Sequence, residues 1–146
     1  MIERQFKMEN DNKAIQLFDV KVVFADLEDR GFGRNIVIDA TDQATQDAIS
    51  IWVQDNNING GTAKFKDYTT KDGIATKQYT FKLSDYTQFG GAGNLDEKAL
   101  GYGAIINLVA SAYDYDNKFG KGTSASLRAV YVKEGATKSA LSEISK

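Results

Sequence analysis

The stretch GAIINLVASAYDY, residues 103–115, predicts the longest strand of the chain and indicates which of its faces is buried. Successive side chains of a strand point to opposite faces of a sheet, so each face can be considered separately. The even face is apolar throughout: Ala104, Ile106, Leu108, Ala110 and Ala112. The odd face carries polar and aromatic side chains: Asn107, Ser111, Tyr113 and Tyr115. We expect the even face to line a core and both tyrosines to point outward.

A loop and a final strand follow this stretch. Residues 116–122, DNKFGKG, predict a glycine-flanked loop, and residues 124–132 predict the last strand. The two strands are expected to pair as a long hairpin. Lys118, Phe119 and Lys121 would then lie in the loop at its tip.

The N-terminal part of the chain contains a second predicted hairpin. Residues 15–25 alternate in the manner of a strand, and residues 34–39 predict a partner strand centred on Ile36 and Ile38. Residues 27–33 predict the turn between them. In the first strand we expect the even positions to be buried: Phe18, Val20, Val22 and Phe24.

A helix is predicted after the second strand. Thr41 or Asp42 can cap its N-terminus by accepting a backbone hydrogen bond, and residues 56–61 end it. Its apolar residues follow the i, i+4, i+7, i+8 spacing of one helix face: Ala44, Ala48, Ile51 and Trp52. This pattern places Trp52 in the core.

The middle of the chain predicts a third hairpin. Residues 63–69 and 76–83 are strand candidates, and Asp72-Gly73 between them is a strong short-range hairpin signal. Residues 87–94, which are rich in glycine, predict a flexible loop, and residues 96–100 predict a short helical turn.

These elements predict a mainly β protein. About six strands arranged as hairpins around one intervening α-helix favour an OB-fold-like small β-barrel, with a β-sandwich as the alternative. The length of 146 residues fits one domain. We expect the domain to span residues 1–135 and a short polar tail to span residues 136–146.

The composition excludes most familiar active sites. The chain has no His and no Cys, so it lacks the usual general base near neutral pH, the thiolate nucleophile and the commonest transition-metal ligands. Asp114 and Asp116 offer a carboxylate pair for a Mg²⁺-dependent nuclease, although solvated turn carboxylates are far more common. We therefore expect a non-enzymatic protein.

Charge and hydropathy limit the partners and the compartment. The formal net charge is −2, so any nucleic-acid site must be a local patch rather than the whole surface. No apolar run approaches the ~18 residues of a membrane span, and no secretory signal stands at the N-terminus. We expect a cytoplasmic protein with no membrane role.

Three groups of residues are candidates for binding single-stranded nucleic acid, and one is the basic and aromatic loop of Lys118, Phe119 and Lys121, whose tip could close over a strand. Tyr113 and Tyr115 stand two residues apart on one face, which suits the stacking of successive unpaired bases, although a cross-strand aromatic pair that stabilises the sheet is more common. On a strand expected to be a neighbour, lysines alternate with an aromatic residue: Lys64, Lys66 and Tyr68. Lysines on a solvated sheet face also serve solubility and edge protection.

The C-terminal hairpin is similar to the strand–loop–strand of bacteriophage single-stranded-DNA-binding proteins. The similarity is strongest at Tyr115-Asp-Asn-Lys118, Gly120-Lys-Gly122, Ser124-Ala125 and Leu127, and it covers about a quarter of the chain. It implies an OB barrel that coats single strands during phage DNA replication, recombination or repair, in the host cytoplasm, with no cofactor and no metal. The DNA-contact residues it implies are Tyr113, Tyr115, Lys118, Phe119, Lys121 and, for phosphate, Arg128.

The resemblance leaves the partners and the assembly open. Many members of the family recruit replication or recombination proteins through an acidic tail, whereas residues 139–146 contain only Glu143 as an acid. Many form dimers or larger homo-oligomers, and the number of subunits here is not fixed by the sequence. The alternative function is a phage structural or protein-interaction β-module without a nucleic-acid site.

Overall fold

A computed structural model describes residues 13–28 and 33–136. The described residues form six strands and one α-helix, which we number in chain order: β1 (Ala14–Asp26), β2 (Asn35–Asp39), α1 (Gln43–Asp55), β3 (Lys66–Thr69), β4 (Ala75–Gly91), β5 (Ile105–Asn117) and β6 (Gly120–Glu134). Two 3₁₀ turns, Ile58–Gly60 and Glu97–Ala99, complete the regular structure of this part of the chain. The second confirms the helical turn predicted before β5.

Five of the strands close into a ring. β1 pairs antiparallel with β2 and β5, β5 pairs antiparallel with β6, β6 pairs parallel with β4, and β4 pairs antiparallel with β2. β3 lies outside the ring and pairs with the first residues of β4. The mainly β, OB-fold-like barrel predicted from the sequence is therefore confirmed, as are its three hairpins.

The core fills the ring. The predicted even face from Ala104 to Ala112 is buried, and Ile36 and Ile38 of β2 are fully buried. From the helix come Ile49, Trp52 and Val53. Trp52 is in the core as expected: its ring centroid lies 6.1 Å from that of Phe81, and its indole N–H donates to the backbone oxygen of Lys13 at 2.9 Å. Burial of this apolar surface is the main source of stability.

The helix begins as expected and buries a different face. Asp42 is the N-cap and accepts from the backbone N–H of Thr45 at 3.2 Å. The prediction that Ala44 and Ile51 face the core is wrong, because both are exposed. The apolar residues that the pattern omitted, Ile49 and Val53, lie on the same side as Trp52 and are buried in their place.

The burial predicted for β1 is wrong at two positions. Val20 and Val22 are buried, but Phe18 and Phe24 are exposed. The pairing of β1 with β5 slips between Leu17 and Val20, and its pairing with β2 slips between Val22 and Phe24. A bulge changes which side of the strand the following residues face. The core-facing residues are therefore odd-numbered up to Leu17, even-numbered at Val20 and Val22, and odd-numbered again at Ala25.

Two segments that the sequence predicts as loops belong largely to strands in the structure. β4, and not β5, is the longest strand, and its last residues belong to the segment predicted as a flexible loop. Gly90 and Gly91 pair there with Tyr131 and Val132 of β6. The loop predicted for residues 116–122 shrinks to a two-residue turn, because Asn117 already pairs with Gly120. Lys121 is therefore a strand residue.

Two expectations concern regions that the structure treats only in part. The polar tail falls outside the described residues, except for Ala136 at its start. Within residues 13–28 and 33–136, no helix has the length and apolar character needed to cross a membrane.

Candidate nucleic-acid interface

The outer surface of β1, β5, β6 and β4 carries exposed aromatic side chains from all four strands. We call this surface the aromatic face and define it by Phe18, Tyr86, Tyr113, Tyr115 and Tyr131. Two depressions connect most of it. One is lined by Tyr86 and Tyr113 and the other by Phe18 and Tyr131, and the two share Val109 and Ala129. The face is thus continuous across the barrel wall.

The larger depression is a groove of about 620 Å³ between β4, β5 and β6. Arg128 lines it together with Tyr113. Ala110 pairs with Leu127 and Val109 pairs with Ala129, so Arg128 is the unpaired extra residue of a bulge in β6. Among the described residues Arg128 makes no ion pair, so its guanidinium is available to an anionic ligand.

A larger irregularity in β4 places Tyr86 at the rim of the groove. Leu83 pairs with Leu127, but the next pair is Gln88 with Ala129, which leaves residues 84–87 bulging outward. The Thr87 hydroxyl fixes this bulge by donating to the Leu127 oxygen at 2.6 Å and accepting from the Ser84 N–H at 2.9 Å. At its apex the Tyr86 side chain is 88% exposed.

Beyond the barrel, β5 and β6 continue as a two-stranded arm, which we define as residues 113–124. In the described part of the chain, β1 pairs with β5 only up to Ser111, and β4 pairs with β6 only from Leu127 onward. The arm is therefore held by its own hairpin pairs alone. Tyr113 and Tyr115 lie on one side of it, which confirms their predicted outward orientation.

The arm presents its aromatic side chains in two ways. The ring of Tyr115 lies over Gly122, its cross-strand partner, so closely that a Cβ atom at Gly122 would be 2.8 Å from the tyrosine oxygen. At the tip Phe119 is 87% exposed, and the ammonium of Lys118 lies 5.2 Å from its ring centroid. The tip therefore offers an aromatic surface beside a positive charge.

The structure does not bring the β3 candidates to this surface. β3 was expected beside β5, but β6 and β4 lie between them, and β3 pairs only with residues 75–78 of β4. Lys64 precedes β3, whereas Lys66 and Tyr68 belong to it and are exposed. A DNA contact by these three residues stays a prediction, in a region separate from the aromatic face.

Three residues of the aromatic face were not predicted: Phe18, Tyr86 and Tyr131. Phe18 was assigned to the core, and Tyr86 lies in a bulge without a periodic signal. Tyr131 lies between two buried valines in the last strand. Because successive side chains of a strand face opposite sides, this alternation in the sequence could have predicted that Tyr131 is exposed.

The residues considered for metal-dependent hydrolysis, Asp114 and Asp116, lie in the described part of the chain. It contains no group of three or more metal-ligating side chains. The Asp114 carboxylate accepts from the Thr123 hydroxyl at 2.8 Å across the arm, which gives it a structural role. The clearest pKa shifts lie elsewhere: burial raises the pKa of Tyr79, and a hydrogen bond to Asp19 and the charge of that carboxylate raise the pKa of Lys133.

A closed ring with one α-helix and an aromatic outer wall defines an OB-fold-like barrel with a candidate stacking surface. Neither a protein-family model nor a curated protein sequence matches the chain. Solved structures do match: the chain has the fold of the single-stranded DNA-binding protein from bacteriophage Enc34.

Three structures of that phage protein are similar to this chain. Its C-terminal truncation has a TM-score of 0.56 at 14% identity, covering 88% of this chain and 90% of that one. Its complex with ssDNA has a TM-score of 0.53 at 14% identity, covering 86% and 88%. A third structure has a TM-score of 0.54 at 15% identity, covering 93% and 92%. At such identities the likeness establishes the fold.

Proposed function

We propose that this protein binds single-stranded DNA on its aromatic face, without catalysing a reaction. The observation that carries the proposal is the exposure of five aromatic side chains, from four strands, on one continuous surface. A monomeric soluble protein gains nothing from exposing such a surface unless a ligand covers it. A protein of the same fold has been solved in complex with ssDNA, which supports the proposal.

The chemistry of this surface suits binding with little sequence preference. Every base has a π-face, so stacking on tyrosine and phenylalanine tolerates any sequence and contributes about 1–3 kcal/mol per base. Arg128 in the groove and the lysines of the arm, Lys118 and Lys121, supply positive charge for the phosphates. The overall charge of −2 keeps that attraction local.

The role that follows is to coat and protect single strands during phage DNA replication, recombination or repair. A duplex hides its bases, so stacking on the aromatic face discriminates against it. Replication or recombination proteins are the expected partners, and assembly into homo-oligomers along the strand is compatible with such coating.

The test is fluorescence anisotropy with a labelled oligo-dT and a duplex of matching length, at low and raised salt. We expect the single strand to bind more tightly and the affinity to fall with salt, since phosphate contacts release counterions. Tyr113→Ala and Tyr115→Ala should each weaken binding by about 5- to 150-fold, corresponding to one lost stacking contact.

Tyr68→Ala is the matched control, because Tyr68 is 50% exposed and Tyr113 is 48% exposed. Retained affinity in this variant confines the site to the aromatic face, whereas a loss extends it to β3. Absence of binding to the single strand even at low salt would contradict the proposal and leave a protein-interaction module as the better explanation.

A further inference from the structure

The smaller depression of the aromatic face is a slot of about 210 Å³ beside the bulge in β1. Phe18 and Tyr131 supply aromatic walls, and Val109 and Ala129 lie where the slot meets the larger groove. The slot also contains two side-chain amides, those of Asn107 and Gln16, and only that of Asn107 is held by a hydrogen bond among the described residues. An aromatic-walled slot with a few polar groups suits a flat ring that carries hydrogen-bonding groups on its edge.

The slot depends on a backbone conformation that its surroundings enforce. Asp19 has a φ of 57°, in the left-handed region that a residue with a side chain rarely adopts. Its backbone N–H donates to Oδ1 of Asn107 at 2.9 Å, and its carboxylate forms an ion pair with Lys133. These contacts hold the bulge that turns Phe18 outward. Strain that neighbours enforce in this way is characteristic of ligand sites.

The same hydrogen bond fixes the orientation of the Asn107 amide. Because the Asp19 N–H can only donate, Asn107 must accept through its oxygen, which leaves its NH₂ group on the other side. No described residue accepts a hydrogen bond from this nitrogen. The Asn107 group that remains available to a ligand in the slot is therefore its NH₂ group, which is a hydrogen-bond donor.

We propose that the slot holds one unpaired base of the bound strand and that Asn107 donates to O4, the carbonyl oxygen at ring position 4 of a thymine. This inference rests on the proposed function and adds to it a preference for thymine over cytosine. Thymine carries a carbonyl oxygen at the ring position where cytosine carries an amino group, which is itself a donor. Two donors facing each other do not bond, so cytosine is disfavoured in this slot.

The test compares oligo-dT with oligo-dC of the same short length, by competition anisotropy at neutral pH. Both are pyrimidines, so differences in ring size do not enter the comparison. We expect wild type to bind oligo-dT about two- to tenfold more tightly, the discrimination that one net hydrogen bond provides. The decisive variant is Asn107→Asp, whose carboxylate still accepts from Asp19 and offers an acceptor in place of the NH₂ donor.

In Asn107→Asp we expect the preference to disappear or to reverse in favour of oligo-dC. The added negative charge weakens binding to both strands, so the ratio of affinities is the readout. Ser111→Asp is the control, because it adds the same charge on the same face of β5, where Ser111 lines the larger groove and not the slot. It should weaken both strands and leave their ratio unchanged.

Three results would overturn the inference. Equal affinities in wild type, or a thymine preference that survives Asn107→Asp, would show that the slot does not recognise the base edge while leaving single-strand binding intact. Loss of binding to both oligonucleotides in wild type itself would overturn the slot together with the proposed function. Folding of each variant is checked by its thermal unfolding transition.

Discussion

The β5–β6 hairpin contains two regions built from the same two strands but used differently. In its root, residues 105–112 and 125–134, the hairpin is flanked by β1 and β4, and its inward side chains are buried. In the arm, residues 113–124, each strand has only the other as partner, and both faces are open. The same alternation therefore produces core positions in the root and solvent-exposed positions in the arm.

This difference separates stability from binding along a single strand. Removing apolar volume in the root takes away contacts that many neighbours share, whereas removing a ring from the arm affects few neighbours. Substitutions in the root should change the free energy of unfolding, and those in the arm should change the affinity for a single strand.

The largest effect is expected from Ile106→Ala in the root. Ile106 is 0% exposed, and its truncation leaves a cavity between β5 and its neighbours. We expect the free energy of unfolding to fall by about 2–5 kcal/mol, measured by urea denaturation. Tyr115→Ala, in the same strand but in the arm, should change it by less than about 1 kcal/mol. A similar loss in both variants would contradict the division of the hairpin.

A smaller effect is expected from Gly122→Ala, which tests how the arm orients its ring. The new Cβ would stand 2.8 Å from the Tyr115 oxygen, so the ring must move away from its place over the glycine. Single-strand affinity should fall by less than the ~1–3 kcal/mol expected for Tyr115→Ala, with little change in stability.

A double-mutant cycle provides the control for this prediction. In the Tyr115→Ala background there is no ring to displace, so Gly122→Ala should have no further effect on affinity. Additive losses would mean that Gly122 contributes to binding by another route, such as close approach of the DNA backbone.

The smallest effect is expected at the ion pair between Asp19 and Lys133, which belongs to the root side. Asp19 raises the pKa of Lys133 above its ordinary value of 10.5, so folding favours the charged lysine. Its stabilisation is complete below pH 10.5 and is lost as the pH rises through the raised pKa. Because both side chains are largely exposed, the contribution is small.

Lys133→Met should therefore lower the free energy of unfolding slightly at neutral pH, and the difference from wild type should vanish in strongly alkaline solution. Urea denaturation of both proteins at several pH values measures this difference in the free energy of unfolding. Lys82→Met is the control, since Lys82 makes no ion pair within the described residues and should show no such pH dependence. A difference that persists at high pH would mean that the ion pair is not its cause.

Local signals in the sequence were sufficient to predict the hairpins. Asp72-Gly73 marks the turn between β3 and β4, and the even residues of β5 mark the core. The bulges could not be predicted, because a bulge is set by the partner strand and by contacts such as that of Asn107 with Asp19. For this reason Phe18 was placed in the core and Tyr86 was overlooked.

Pairing between strands that are distant in sequence was the second feature that the sequence could not predict. Gly90 and Gly91 have the local character of a loop, yet the parallel strand β6 supplies backbone partners that make them strand. The arm residues Tyr113 and Tyr115 were placed correctly because their exposure follows from alternation alone. The position of β3 was predicted wrongly, because the order of strands in the sheet is decided by pairs of residues that are distant in sequence.

Closure of the ring also depends on pairs of residues that are distant in sequence. Each hairpin pairs neighbouring segments of the chain, but β1 also pairs with β5, where Ile15 lies opposite Ala110. Contacts between such distant residues carry a high loop-closure entropy and slow the search for the native state. The hairpin that extends into the arm is thus also the one whose first strand pairs with β1 and helps to close the barrel.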